Sequence, residues 1–185
     1  MSPGTRKDTP NPARCAWAEG DPVMEKYHDE EWGFPVRTTR KHFEQLTLEI
    51  FQAGLSWRTI LHKREAFRIE FARFSPEEVA RFTGKDIERI LGNPGVVRNR
   101  KKIEAAIENA KRFLAIQKEH GSFNRYLASL PDDLPSLQKI FRAEFVFMGP
   151  KIAEAYLESV GRIPAPHDPR CWRYVKYLFL LISIS

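Results

Sequence analysis

The apolar positions of this chain recur at helical spacing and nowhere alternate over a strand length, so the pattern predicts an all-α fold. The densest stretch is Phe43 to Trp57. Placed at about 100° per residue, Phe43, Leu46, Leu48, Ile50, Phe51 and Ala53 cover most of a helix circumference. That marks a buried helix stopped by Gly54, with Trp57 delivered just beyond a tight turn. One narrow polar stripe remains, Gln45, Glu49 and Gln52. A carboxylate on such a stripe either faces solvent or lines a pocket.

The flanking elements follow from caps and breakers. Asp21-Pro22 suits an N-cap followed by proline in the first turn of a short helix carrying Val23, Met24, Tyr27 and His28, ended by Gly33-Phe34-Pro35. Thr38 or Thr39 can cap the central helix, and Ser56 the next, from Trp57 to about Phe71. Ser75-Pro76-Glu77-Glu78 reads as a capping box opening a helix to about Phe82, and another spans Asp86 to Leu91. After the break at Gly92 to Gly95, a long helix covers Arg98 to Lys118 with Ile103, Ala106, Ile107, Ala110, Phe113 and Leu114 as its buried seam. Three more fit Phe123 to Leu130, Ser136 to Phe145 and Pro150 to Val160, the last stopped by Gly161. Arg162 to Trp172 carries three prolines and is irregular, so whatever fixes it must come from outside a helix.

Composition sharpens the class. With 185 residues, 42% of them hydrophobic, the chain can bury a core as one domain or as two helical lobes. Residues 1–13, polar and proline-rich, read as a disordered tail, leaving 14–185 as a single domain. The 30 Lys and Arg against 24 Asp and Glu give +6 and favour a polyanionic partner, nucleic acid first. No signal peptide opens the chain, and the apolar tail Tyr177 to Ser185 is far shorter than the ~20 residues of a membrane span. A cytoplasmic protein without membrane attachment is expected, with the tail as a docked strand or helix end. A monomer is also expected.

Four groups of residues carry candidate chemistry. Helix, short apolar turn, Gly149-Pro150-Lys151 and a second helix form the layout of a helix-hairpin-helix, whose free amides at the second N-terminus bind a DNA phosphate without reading sequence; an ordinary αα-hairpin is the other reading. Arg98, Arg100, Lys101 and Lys102 cluster at a helix start, either as a solvated run or as a phosphate-binding rim. Cys15, His28, His167 and Cys171 have the composition of a closed Cys₂His₂ zinc site that would staple the proline-rich segment to the N-terminal one, although isolated thiols also account for the cysteines. Trp17, Tyr27, Trp32 and Trp57 lie near Glu49 in sequence or across a turn. Such a set is either core packing beside an acid or a pocket of π faces and an anion for a flipped, electron-poor purine.

Taken together, Arg14-Cys15-Ala16-Trp17, Tyr27 to Gly33, Leu48-Glu49, Gln52 to Trp57, Asn93 to Arg100 with Lys102-Ile103, and His167 with Cys171 resemble the Tag family of 3-methyladenine DNA glycosylases I, from Arg14 to about Tyr174. The resemblance implies an all-helical helix-hairpin-helix glycosylase acting on alkylated double-stranded DNA. It implies one structural zinc on Cys15, His28, His167 and Cys171, and base recognition by Glu49 with Trp17, Tyr27, Trp32 and Trp57. Leu55, in the turn after the helix, is a candidate wedge for the gap in the base stack, or else a core leucine. Arg98, Arg100, Lys101, Gly149 and Lys151 are the candidate DNA contacts. No lysine stands out as a Schiff-base nucleophile, so hydrolysis without strand cleavage is expected. Two departures from the family pattern stand beside the site: Met24 where a second tyrosine is usual, and Ile50 where a glycine is usual. They motivate the rival reading of a zinc-stapled protein that binds DNA or lesions without chemistry.

Overall fold

The computed structural model describes residues 13–174, so the predicted disordered tail and the apolar segment from Tyr177 lie outside the described residues, apart from Ala13 at the tail's end. The described residues hold helices and no strand: α1 (Pro22–Glu30), α2 (Thr39–Gln52), α3 (Trp57–Glu70), α4 (Pro76–Val79), α5 (Gly84–Gly92), α6 (Arg100–His120), α7 (Phe123–Ser129), α8 (Leu134–Glu144) and α9 (Pro150–Ser159). None of these helices is long and apolar enough to cross a membrane. The described residues divide into two units, 13–29 with 166–174 and Glu30–Ala165.

In the larger unit α2 is the central element, packed against α3, α6, α7 and α9. Thr38 caps it by accepting from Lys41 N–H at 3.2 Å, and residues 42–51 are all buried, as the near-circumferential apolar pattern requires. Phenylalanines join the surrounding helices: Phe113 of α6 stacks on Phe123 of α7 at 4.2 Å, and Phe51 of α2 meets Phe67 of α3 edge-on at 4.8 Å. Asn99 caps α6 through Lys102 N–H, so that helix starts two residues later than the charge run suggests and Arg98 precedes it. The helix opened by Ser75 is only one turn long. Thr83 and Asp86 form the reciprocal capping box that starts α5.

Two features of this unit place a left-handed backbone in close packing. Ala72, Arg73 and Phe74 form a short 3₁₀ turn with φ of 49°, 51° and 56°, although none is glycine. The turn is held by burial of Phe74 and by its ring stacked on Phe71, centroids 6.1 Å apart, which offsets the left-handed backbone cost. The second is Gly161, φ +68°, where a Cβ would stand 2.8 Å from the Phe34 carbonyl carbon and 2.9 Å from Pro35 N. That closeness lets Gly33 and Val36 donate to Ser159 and Val160 carbonyls at the end of α9. Gly161→Ala meets both a left-handed backbone and a backbone clash, and is expected to cost roughly 2–4 kcal/mol in urea unfolding.

Within the smaller unit α1 begins at Pro22 after Asp21, whose carboxylate accepts from Val23 and Met24 N–H. The proline-rich return segment has little repetitive structure. It is tied by Trp172 N–H to Ala13 O at 2.9 Å and by Arg173 to the His28 carbonyl at 2.9 Å.

Candidate functional site

The irregular segment is organised around four buried side chains of the smaller unit. Cys15 Sγ lies 3.4 Å from His167 Nδ1, and Cys171 Sγ lies 3.4 Å from His28 Nε2 and 3.6 Å from His167 Nδ1. All four ligand atoms fall within 4.8 Å of one another. Two ligands on one tetrahedral ion, with bonds of about 2.3 Å to sulfur and about 2.0 Å to nitrogen, stand about 3.5 Å apart. The set therefore fits a metal ion, and the cysteines are not paired as a disulfide.

The surroundings fit the same purpose. His28 Nδ1 is 2.8 Å from Asp29, which leaves Nε2 facing the cluster, and Asp29 is in turn held by Arg14 at 2.7 and 2.8 Å and by the Trp172 indole at 3.2 Å. Backbone N–H groups of Asp168 and Arg173 point at the two sulfurs, at 3.3 and 3.4 Å, a favourable setting for thiolates. Burial pushes the Cys15 thiol up to about 11 and holds His167 down to about 4, with His28 also lowered. Neutral imidazoles offer lone pairs at neutral pH, while a thiol as desolvated as that of Cys15 ionises only beside a cation. The structure also brings Trp17 and Tyr27 together here, ring centroids 6.4 Å apart, with Trp17 edge-on to His28 at 5.4 Å. Met24 is buried in the same unit.

In the larger unit α2 carries two buried acids with opposite fates. Glu44 accepts from Arg64 at 2.8 Å and Lys41 at 3.2 Å, and the same cations grip Glu31, Arg64 with both ends of its guanidinium at 2.8 Å and Lys41 at 2.6 Å. Burial alone would raise both carboxyls. The cations overcome it, lowering Glu44 and bringing Glu31 down to about 2.

Among the described residues Glu49 has no such compensation. It is 6% exposed, and burial drives its carboxyl up to about 8; the amide of Gln45, donating at 3.4 Å, pulls it down, and the charge of Glu158 on α9 pushes it further up. Glu158 itself is raised to about 6 by burial and by Glu154. The polar stripe thus divides. Gln45 is buried beside Glu49, whereas Gln52, half-buried, turns to the helix end and donates to Leu55 O at 2.8 Å. Ile50 points into the hydrophobic core. Trp32 and Trp57 are half-exposed residues of this unit, and Leu55, 39% exposed, is a surface residue and not a core leucine.

The basic cluster also divides. Arg98, Arg100 and Lys101 are exposed, Arg100 paired with Glu88. Lys102 turns inward and donates to the carbonyls of Phe51 and Ala53 at 3.0 and 2.6 Å. Spacing alone did not distinguish it from its neighbours. Between α8 and α9, Asn109 of α6 clamps Val146 through both backbone groups at 2.8 and 3.1 Å, a buried contact with no sequence motif. The next residue, Phe147, has φ 60° and is exposed. Gly149 then caps α9 with open space at its Cα, and Lys151 projects into solvent beside Glu154.

The sequence profile of the methyladenine glycosylase family matches residues 17–141, more than half of the chain. A DNA-3-methyladenine glycosylase of Haemophilus influenzae is 35% identical over 170 residues, covering 81% of this chain and 92% of that enzyme. Among solved structures, a 3-methyladenine DNA glycosylase I variant in complex with 3-methyladenine superposes with TM-score 0.78 at 35% identity, covering 86% of this chain and 96% of that one. The 3-methyladenine DNA glycosylase I of Staphylococcus aureus gives TM-score 0.75 at 36% identity, over 82% and 92%. An α2 with a buried, uncompensated acid and a profile match running from Trp17 through α2 to Phe141 converge: this chain belongs to the methyladenine glycosylase family.

Proposed function

We propose that this protein is a monofunctional base-excision DNA glycosylase that hydrolyses the N-glycosidic bond of 3-methyladenine in alkylated double-stranded DNA. The observation that carries the reading is Glu49: a buried carboxyl with no cation of its own among the described residues, on the helix around which the larger unit is built. Methylation at N3 makes the adenine cationic while it is attached to the sugar. A cationic base facing Glu49 draws off its proton and supplies the missing counter-charge, so recognition of the lesion and relief of a buried acid are one event.

The leaving group is already activated. The protein has to flip the nucleotide, stack the base and admit water to an oxocarbenium-like sugar, which is left abasic. In this reading Glu49 complements the charge of the base and hydrogen-bonds it, and Trp32 and Trp57 are aromatic faces for it. Exposed Leu55 is the wedge, and Arg98, Arg100 and Lys101 meet phosphates. The hairpin of α8 and α9 works as a helix-hairpin-helix, with Gly149 and Lys151 at the phosphate. Lys102, the buried lysine beside α2, is engaged by two carbonyls, which supports hydrolysis without a Schiff base.

Zinc is the ion that suits two thiolates and two imidazoles in a closed tetrahedral set. Cys15, His28, His167 and Cys171 would hold it, and with four protein ligands its contribution is a crosslink. Duplex DNA treated with a methylating agent, incubated with the zinc-loaded protein, is expected to release free 3-methyladenine on chromatography while its strands stay intact without alkali. No released base would refute the activity; strand cleavage before alkali treatment would refute its monofunctional character.

A further inference from the structure

The chain leaves α2 through a type II β-turn, Gln52 to Leu55. Ala53 has φ −49° and ψ 115°, Gly54 has φ +83°, and Leu55 N–H donates to Gln52 O at 2.7 Å, the dihedrals and closing bond of that turn. A type II turn is separated from type I by a flip of its central peptide, which carries the carbonyl to the opposite side. Here the central carbonyl is that of Ala53, and it is the one that Lys102 Nζ holds at 2.6 Å.

The hold is built. The same ammonium takes Phe51 O at 3.0 Å, and the lysine is 5% exposed, with Nζ 5.7 Å from the Phe147 ring centroid. It occupies the first turn of α6, directly after exposed Arg98, Arg100 and Lys101. A positive charge at the C-terminus of α2 is also favourable for the helix dipole. One side chain therefore links the end of the Glu49 helix, the start of the basic helix and the exposed turn of the hairpin.

We propose that Lys102 is a positioning residue for base flipping, which fixes the Ala53–Gly54 peptide in its type II orientation and so sets the direction in which Leu55 projects into the duplex. The inference rests on the excision activity proposed above. Its counterpart at the other end of the turn is Gln52, which holds Leu55 O. Methionine in place of Lys102 fills similar space but donates nothing, and leaves the central peptide free to flip.

The test is a double-mutant cycle on wild type, Lys102→Met, Leu55→Ala and the double variant. Two quantities are measured: the single-turnover rate of 3-methyladenine release from methylated duplex DNA, and the affinity for free 3-methyladenine by tryptophan fluorescence. Lys102→Met is expected to slow release at least tenfold, with free-base affinity within about twofold of wild type. The double variant should be no more than about twofold slower than the slower single one, because both changes disable the same wedge. Unchanged release, a parallel fall in free-base affinity, or losses that multiply would each overturn the proposal. Wild type that releases no base overturns the excision reading, and this inference with it, a pattern distinct from the other three.

Discussion

Glu49→Gln is expected to lose most excision, at least 100-fold in single-turnover release, while leaving the protein folded and less sensitive to alkaline pH. The loss follows from charge: glutamine keeps the shape and one hydrogen-bond acceptor but cannot become the anion that the cationic base requires. The stability effect has the opposite sign to the usual salt-bridged acid. The Glu49 carboxyl titrates near its ordinary value when unfolded and at about 8 when folded, so between about pH 4.5 and 8 the folded state holds a proton that the unfolded state has released. Stability contributed by this group is then lost as pH rises through that window, by up to about 1.4 kcal/mol per pH unit. Thermal unfolding of wild type and Glu49→Gln at pH 5, 6, 7 and 8 isolates the term, since Glu158 and the buried histidines titrate in both. The gap in Tm should shift in favour of the glutamine variant by up to about 3–6 °C per unit. Parallel Tm curves, or excision by the variant within tenfold of wild type, would remove Glu49 from its assigned role.

Cys171→Ser is expected to bring bound metal well below one ion per chain and lower Tm by about 10 °C or more, equivalent to at least about 3 kcal/mol. The segment carrying His167 and Cys171 has three prolines and few backbone hydrogen bonds, so the ligand set is its principal anchor. Losing one of four ligands opens the tetrahedron and leaves three buried polar groups facing one another. A strong chelator should reproduce the drop in wild type and add little in the variant. Limited proteolysis should then cut within residues 162–174 first. Full metal content and an unchanged Tm in Cys171→Ser would show that the four side chains are only packed together.

How much of this was legible in the sequence varies by element. Every helix of two turns or more left a mark, because an amphipathic period and a cap are local properties: Thr38, Ser56 and Gly149 each sit where their chemistry places a boundary, whereas the Asn99 cap was passed over and its helix read two residues too early. The Ser75 box over-reached, since it specifies where a helix starts and says nothing of its length. The left-handed turn at Ala72 to Phe74 carried no mark at all, because the stacking of Phe71 on Phe74 selects it and not residue type.

The candidate site divides in the same way. Residue types and their order along the chain made Cys15, His28, His167 and Cys171 candidate ligands and Glu49 a candidate pocket acid, with isolated thiols and a solvent-facing carboxylate still open, and the family resemblance chose between them. The convergence of those four ligand atoms, the contrast between Glu44 and Glu49, and the inward turn of Lys102 were decided only in the tertiary structure. Glu44 and Glu49 lie on one helix and look alike in sequence. Arg64, arriving on α3, makes one a low-lying anion, and burial without a cation makes the other a proton-holding acid. Charge state depends on neighbours brought from afar, so only the folded chain determines it.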